Sequence, residues 1–358
     1  MAVHFHPLKV KDIRREAPDC VSIAFEVPEN LKQEFCFEQG QNITIRKTIG
    51  GEELRRSYSI CTAPFENELR IAVKKVDGGK FSSFANEELK LHDLLDVLPP
   101  TGKFNTKLNN DQEKNYLAFA AGSGITPVIS IIKTTLQAEP KSRFTLVFGN
   151  KGRHSIIFFE ELEGLKNKYL NRFNLINILS REKTDAPINS GRINTQKLDE
   201  LNKLINYQAV DDIFICGPEE MIFCVRDYLE ARNISSKKIH FELFTTPGQK
   251  KVVKQTTGEE ADTGPKSRIT IKLDGRSFDF DLGFDKESIL DGALKQGTDL
   301  PFACKGGVCC TCKAKLLKGE VEMDVNWGLE HDEIEQGYIL TCQSHPKTET
   351  VVVDFDIK

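Results

Sequence analysis

At 358 residues, 39% hydrophobic and 28% charged, the chain has an ordinary globular composition and is long enough for two or three domains. A formal net charge of −4 argues against a nucleic-acid surface. The longest weakly apolar stretch, Tyr116 to Ile132, is broken by Gly122, Ser123, Gly124 and Pro127, which excludes a membrane span there.

Residues 1–107 read as mostly β. Val21, Ile23, Phe25 and Val27 alternate with other residues, as do Ile43 and Ile45, then Leu69, Ile71 and Val73, with turn residues between the runs. Repeated short strands without long helical patterns predict a small antiparallel barrel. Residues 1–20 carry no apolar signal-peptide core, so a cytoplasmic setting is expected. Arg56-Ser57-Tyr58-Ser59 follows one of the strands. A guanidinium grips a phosphate through paired charge-assisted bonds, and a tyrosine offers a flat face to a fused ring. Gly79-Lys80-Phe81-Ser82-Ser83 either cradles a diphosphate at a helix start or is an ordinary glycine turn with a serine cap.

Beyond residue 108 strand and helix alternate. The apolar run Tyr116–Ala121 ends in Gly122-Ser123-Gly124, and a helix follows from Thr126 to about Gln137. Strand 144–149, helix Phe158–Leu170, strand Phe173–Leu179, strand Asp212–Cys216 and helix Glu219–Arg232 complete the pattern to residue 244. This is the grammar of a doubly wound parallel α/β sheet, which binds ligands at the C-terminal ends of its strands. Gly122-Ser123-Gly124-Ile125-Thr126-Pro127 lets a pyrophosphate approach the backbone, and Cys216-Gly217-Pro218 lines the same crevice. Ser180-Arg181, ending a strand, suits a ribose 2′-phosphate, while Glu182 directly after it suits the unphosphorylated ribose.

Residues 245–266, rich in Thr, Gly, Lys and Glu without apolar periodicity, read as a linker. In the last segment, 267–358, Ile269, Ile271 and Leu273 alternate, a hairpin strand follows at Ser277–Leu282, and a short helix spans Ser288–Gln296. Then come Cys304, Cys309, Cys312 and, 29 residues further on, Cys342. The spacing C-x4-C-x2-C…C is that of a plant-type [2Fe–2S] cluster held by four thiolates. Structural zinc sites instead pair one C-x2-C with a second short pair. Gly306 and Gly307 let the loop wrap sulfides and aim N–H groups at them. Cys310 breaks the spacing and reads as a small buried filler, and the other five cysteines form no paired pattern. This segment holds 11 Lys+Arg against 17 Asp+Glu, either a solvated face or a surface steering a basic redox partner.

In order and spacing, these motifs across residues 1–244 resemble the ferredoxin–NADP reductase superfamily. Joined to a C-terminal plant-type ferredoxin with a doubled cysteine, they are similar to the oxygenase reductases of the phenylacetyl-CoA epoxidase type. The resemblance implies three cofactor domains, an FAD-binding β-barrel (1–107), an NAD(P)-binding α/β domain (108–244) and, after the linker, a [2Fe–2S] β-grasp (267–358). It implies that Arg56 contacts the flavin phosphate, Tyr58 stacks on the isoalloxazine and Ser59 approaches N5, with Ser57 a further cofactor-binding residue. Gly79, Ser82 and Ser83 would hold the FAD diphosphate. Gly122, Gly124, Thr126 and Pro127 would shape the nicotinamide site, faced by Cys216, Gly217 and Pro218, and Ser180 and Arg181 would select the phosphate. Glu242 and Phe244 would sit near the flavin, or else mark a plain strand end with one core phenylalanine. Ser59, Thr126, Cys216 and Glu242 are the catalytic candidates. The implied partner is an oxygenase component, diiron and multi-subunit, with no nucleic acid and no membrane. A Rieske oxygenase or hybrid-cluster acceptor, NADH in place of NADPH, FMN in place of FAD, and a non-enzymatic iron–sulfur carrier or sensor are the alternatives left open.

Overall fold

The computed structural model describes residues 4–244, 265–284 and 286–357. They divide into two compact units, one of residues 5–243 and one of residues 244–357 with residue 4.

The first unit begins with strands β1 (His6–Ala17), β2 (Cys20–Glu26), β3 (Asn42–Ile49), β4 (Glu52–Ser59), β5 (Leu69–Lys74) and β6 (Leu94–Val97), with helix α1 (Lys80–Glu87) between the last two. All pair antiparallel in the order β4-β3-β6-β1-β2-β5. The sheet's two edges meet just past β4, where Ile60 bridges Ile71 and the Cys61 N–H donates to the Arg70 carbonyl at 2.9 Å. That contact curls the sheet into a barrel. Leu8, Ile23, Ile43, Ile45, Ile71 and Val97 fill its interior, each fully buried, as the period-two alternation requires. Strands β1 and β6 were not among those expected. In β1 the inward Leu8 and Val10 are diluted by Lys9, Lys11, Asp12, Arg14 and Arg15, which point elsewhere or pair across the surface.

The same unit continues with β7 (Asn115–Ala121), α2 (Ile125–Ala138), β8 (Arg143–Asn150), α3 (Phe159–Lys168), β9 (Phe173–Leu179), α4 (Thr195–Leu201), β10 (Asp212–Cys216), α5 (Glu219–Glu230) and β11 (Ile239–Glu242). The five strands are all parallel, in the order β11-β10-β7-β8-β9. Chain order reverses between β7 and β10, so the switch point lies where Ala121-Gly122 and Cys216-Gly217 leave the sheet. The expected helix from Phe158 starts one residue later, because Phe158 is left-handed (φ 60°). Helix α4 was unexpected; Asn194 caps it by accepting the Lys197 N–H at 3.0 Å.

In the second unit, β12 (Lys266–Leu273), β13 (Arg276–Gly283), α6 (Ile289–Lys295), β14 (Lys313–Lys318), β15 (Val321–Met323), α7 (His331–Glu335), β16 (Tyr338–Leu340), β17 (Ser344–Pro346) and β18 (Thr350–Asp354) follow in turn. The main sheet, β13-β12-β18-β14-β16, is mixed, with β12 and β18 parallel and the rest antiparallel, and β15 pairs β17 apart from it. Ile269, Ile271, Ile289, Leu290, Leu340, Val351 and Val353 are fully or almost fully buried between this sheet and α6, a β-grasp arrangement. Of the expected linker, residues 245–264 lie outside the described residues, and Lys266 already opens β12.

Candidate functional sites

The motif Arg56–Ser59 ends β4, antiparallel to β3, so successive side chains leave opposite faces of the barrel wall. Arg56 is exposed, and its Nη1 donates to the Arg55 carbonyl at 2.7 Å. Ser57 Oγ meets Thr44 Oγ1 at 2.9 Å. Tyr58 leans on Phe81 of α1, ring centroids 5.5 Å apart at 35°, and burial pushes its phenol well above the usual range. Ser59 is buried and donates to Glu242 Oε2 at 2.9 Å. At the start of α1, Ser82 Oγ accepts the Val76 N–H at 3.1 Å and lies 3.2 Å from the Gly79 carbonyl, while the Ser83 N–H donates to that carbonyl at 3.0 Å. A Cβ on Gly79 would sit 2.4 Å from Ser82 Oγ. Ser82 therefore shapes the glycine turn with its hydroxyl turned inward. The first N–H groups of α1 have no intrahelical acceptor and are the anion donors this loop offers.

The switch point depends on close backbone packing. A Cβ on Gly124 would lie 2.1 Å from the Cys216 carbonyl oxygen and 2.7 Å from the Gly217 nitrogen, so only glycine lets the two strand ends touch. Gly122 turns with φ 54°. Thr126 is buried and closes the loop by donating to the Ser123 carbonyl at 3.0 Å, with Pro127 buried behind it in the first turn of α2. Cys216 pairs with Ala120 on one side and Glu242 on the other. Burial, reinforced by the Glu242 charge, holds its thiol well above the ordinary range. Pro218 starts α5 in extended conformation. Phe244 is 42% exposed, which removes the core-phenylalanine alternative. One cation here escaped the sequence reading: Lys74 Nζ lies 3.9 Å from where a Cβ on Gly122 would be. No local pattern in the sequence marked it.

At the end of β9 the main chain of Ser180 and Arg181 is fixed by N–H donation to the Asn150 and Lys151 carbonyls, 2.9 and 2.8 Å, leaving both side chains exposed. Glu182 Oε2 accepts the Arg153 N–H at 2.7 Å. A second arginine joins this edge. Leu179 bridges Ser190 and the Gly191 N–H donates to the Leu179 carbonyl at 2.9 Å, which brings Arg192 alongside; no sequence periodicity announced it.

In the second unit the four cysteines gather as two pairs. Cys304 and Cys309 share a hydrogen bond that, with help from Thr311, pulls Cys309 down to about 5 and pushes Cys304 up. Cys312 and Cys342 are paired in the same manner, Cys342 lowered and Cys312 raised. The Gly306 N–H donates to Cys304 Sγ at 3.3 Å and the Cys304 N–H to Cys309 Sγ at 3.5 Å. Positive φ at Lys305 (51°), Gly307 (74°) and Cys310 (54°) winds the loop so that its N–H groups face sulfur. Among the described residues no three His, Cys, Asp or Glu side chains converge on one ion. Two thiol pairs with backbone donors fit a binuclear [2Fe–2S] group, one pair per iron. Cys310 is a correction to the expected buried filler: it is half-buried and its thiol donates to the Gly328 carbonyl.

Three family models match: the oxidoreductase FAD-binding domain over residues 7–106, the oxidoreductase NAD-binding domain over 119–227, and the 2Fe-2S iron-sulfur cluster binding domain over 271–347. The chain is 45% identical to a subunit of 1,2-phenylacetyl-CoA epoxidase from Escherichia coli K12, across 99% of this chain and 98% of that one. The chain belongs to that reductase family. It is 30% identical to the ferredoxin reductase component of 3-ketosteroid-9-alpha-monooxygenase from Rhodococcus rhodochrous, over 97% and 96% of the two chains. Phthalate dioxygenase reductase shares the fold, with a TM-score of 0.57 at 23% identity over 98% of both chains. The reductase is thus an oxidoreductase with FAD-binding, NAD-binding and [2Fe–2S] domains. No helix among its described residues is long and apolar enough to cross a membrane.

Proposed function

We propose that the reductase takes electrons from NADPH and delivers them singly to an oxygenase component, diiron and multi-subunit, in the cytoplasm. In this reading domains 1–107, 108–244 and 267–358 hold FAD, NADPH and the cluster respectively. Bound flavin supplies the conversion of a two-electron hydride into single electrons, which the cluster requires. The observation that carries the reading is the 2.9 Å bond from Ser59 Oγ to Glu242 Oε2, because it sets the rim of the barrel against the strand ends of the nucleotide sheet.

The residues divide the labour by what their atoms can do. Arg56, the Ser83 hydroxyl and the free N–H groups of the first turn of α1, which Gly79 opens, bind flavin phosphates, and Tyr58 stacks on the ring with Ser57 beside it. Ser59 holds a proton on Oγ, oriented by Glu242, at the edge where hydride arrives. Gly122, Gly124, Thr126 and Pro127 admit the nicotinamide nucleotide, and the buried Cys216, with Gly217 and Pro218, excludes water from the same edge. Ser180 and Arg181, joined by Arg192, take the 2′-phosphate. Glu182 is drawn toward the Arg153 N–H, which occupies its Oε2 at 2.7 Å.

An anaerobic absorption titration with NADPH tests the whole chain: flavin and cluster bands should bleach together, and a cluster that stays oxidised overturns the reading. Arg181→Ala should raise the KM for NADPH at least ~10-fold and leave that for NADH nearly unchanged, the loss of one charge-assisted phosphate contact. Equal effects on the two would remove Arg181 from the phosphate site.

A further inference from the structure

The chain's single tryptophan, Trp327, is 37% exposed, and its position in the fold is specific. It sits in a turn, 326–329, closed by the Leu329 N–H donating to the Asn326 carbonyl at 3.0 Å and rooted by the buried Leu329. The turn lies directly on the cluster loop. The Gly328 N–H donates to the Gly307 carbonyl at 2.8 Å, and the Cys310 thiol donates to the Gly328 carbonyl. A Cβ on Gly328 would be 3.1 Å from Cys310 Sγ and 3.2 Å from the Val308 carbonyl carbon, and one on Gly307 would be 2.7 Å from Val325 Cγ2. The two segments are therefore in van der Waals register, with Trp327 one residue from a contact made between ligands Cys304 and Cys309.

The chain segment that carries that indole is strongly acidic. From Glu320 to Glu335 there are seven acidic residues and no Lys or Arg. Asp324, Glu322 and Glu335 are each about two-thirds exposed (68%, 67% and 68%); Glu322 pairs with Lys347 at 2.6 Å, Asp324 and Glu335 lie 3.2 Å from His345 and His331, and Glu333 is buried against Lys313, so the carboxylates outnumber the lysines here. An exposed aromatic on a hydrogen-bonded turn within an acidic segment has the anatomy of an interface anchor, and aromatic anchors carry a disproportionate share of binding energy.

We infer that Trp327 is the docking anchor through which the cluster loop meets the electron-accepting protein, a partner presenting an apolar recess rimmed by Lys and Arg. This rests on the proposed function, since it assumes that electrons leave from the cluster. Val308, Cys310 and Gly328 form the platform beneath the anchor, so a docked partner touches the polypeptide that wraps the irons. The doubled cysteine thereby has a role: its second thiol ties the anchor turn to the loop its neighbours ligate.

The test uses the full chain loaded with FAD and cluster, NADPH as donor, and mitochondrial cytochrome c as a basic one-electron protein acceptor, with ferricyanide in parallel. Trp327→Ala should slow cytochrome c reduction at low salt at least ~10-fold, as loss of an anchor does, with ferricyanide reduction and the cluster's visible dichroism unchanged. Trp327→Phe should restore most of the rate, and Asp324→Asn should flatten its dependence on ionic strength. Unchanged cytochrome c rates in Trp327→Ala overturn the anchor alone. If Cys342→Ser, lacking the cluster, reduces cytochrome c as fast as the parent, electrons leave upstream and the proposed route falls with it.

Discussion

The two units of this chain build their sites in opposite ways. In residues 265–357 the site is a set of side chains: four thiols in one wound loop and one later strand end, with backbone N–H groups trimming their charge. In residues 5–243 it is mostly backbone. Gly124 packed against Cys216, the turn at Gly79 that opens α1, and the main chain of Ser180 and Arg181 held by Asn150 and Lys151 are its framework. A metal site fails when one ligand is changed, whereas a nucleotide crevice fails when one small residue is made larger. The contrast predicts where each unit is fragile and that each can be broken without the other.

The largest effect is expected at Cys342. Cys342→Ser should remove the cluster outright, since thiolate ligation to iron has no equivalent hydroxyl substitute. NADPH should still bleach the flavin at close to the parent rate in a stopped-flow trace. Loss of both signals together would mean the two sites are not separable as their construction implies. Next in size is Gly124→Ala, whose Cβ would fall 2.1 Å from the Cys216 carbonyl oxygen. Either strand end must move, and a displacement of that order should slow flavin reduction by NADPH about 100-fold. The cluster's visible dichroism, reporting on the other unit, should not change.

The same contrast explains how much was legible in the sequence. Iron fixes residue type and spacing together, so C-x4-C-x2-C…C named its own chemistry. The parallel sheet was legible because its strands, such as 117–120, are continuously apolar and buried on both faces. Strand β1 was not, because every inward residue is flanked by charges that pair on the surface. Lys74 and Arg192 were missed for a different reason. Each reaches its site through pairing between distant segments, Lys74 beside Gly122 and Arg192 beside Leu179, and no local pattern encodes such a neighbour. Glu182 shows the converse: by sequence it contradicts a phosphate site, and only its bond to the Arg153 N–H shows the carboxylate to be engaged elsewhere.

A smaller effect would sharpen the comparison within the first unit, where barrel and nucleotide sheet are joined by a buried ion pair. Lys133 of α2 is 4% exposed and donates to Glu66 beside the barrel at 2.7 Å and to Glu161 of α3 at 2.8 Å, at the wall of a cavity of about 600 Å³. Burial alone would lower the ammonium, but Glu161 and Glu66 outweigh it and hold it above its usual range. Lys133→Met should cost about 1–3 kcal/mol, less than a fully buried pair because Glu66 and Glu161 reach solvent at 30% and 39% exposure. The loss should appear as a lower urea midpoint for flavin release, with the cluster signal persisting to the parent's midpoint. Coincident loss of both would contradict independent construction.

The smallest expected effect concerns pH. Arg70, buried in the barrel wall, donates to Asp12 at 2.5 Å and to Glu68 at 2.7 Å, and these bonds hold both carboxyls below their ordinary range. A carboxyl lowered in the folded state contributes stability that is fully present above its unfolded value. That contribution is lost as pH falls from the unfolded value through the folded one, because in that window the unfolded chain binds more protons than the folded one. Asp12 is 35% exposed, so the contribution is screened. Asp12→Asn should therefore lower stability by under about 1 kcal/mol at neutral pH, and the gap from the parent should close on acidification to about pH 3. Urea midpoints of flavin release at the two pH values measure it. A gap that widens in acid would mean that Arg70 does not favour the ionised carboxyl, whereas a closing gap would show that the ionised Asp12 contributes to the barrel's stability at neutral pH.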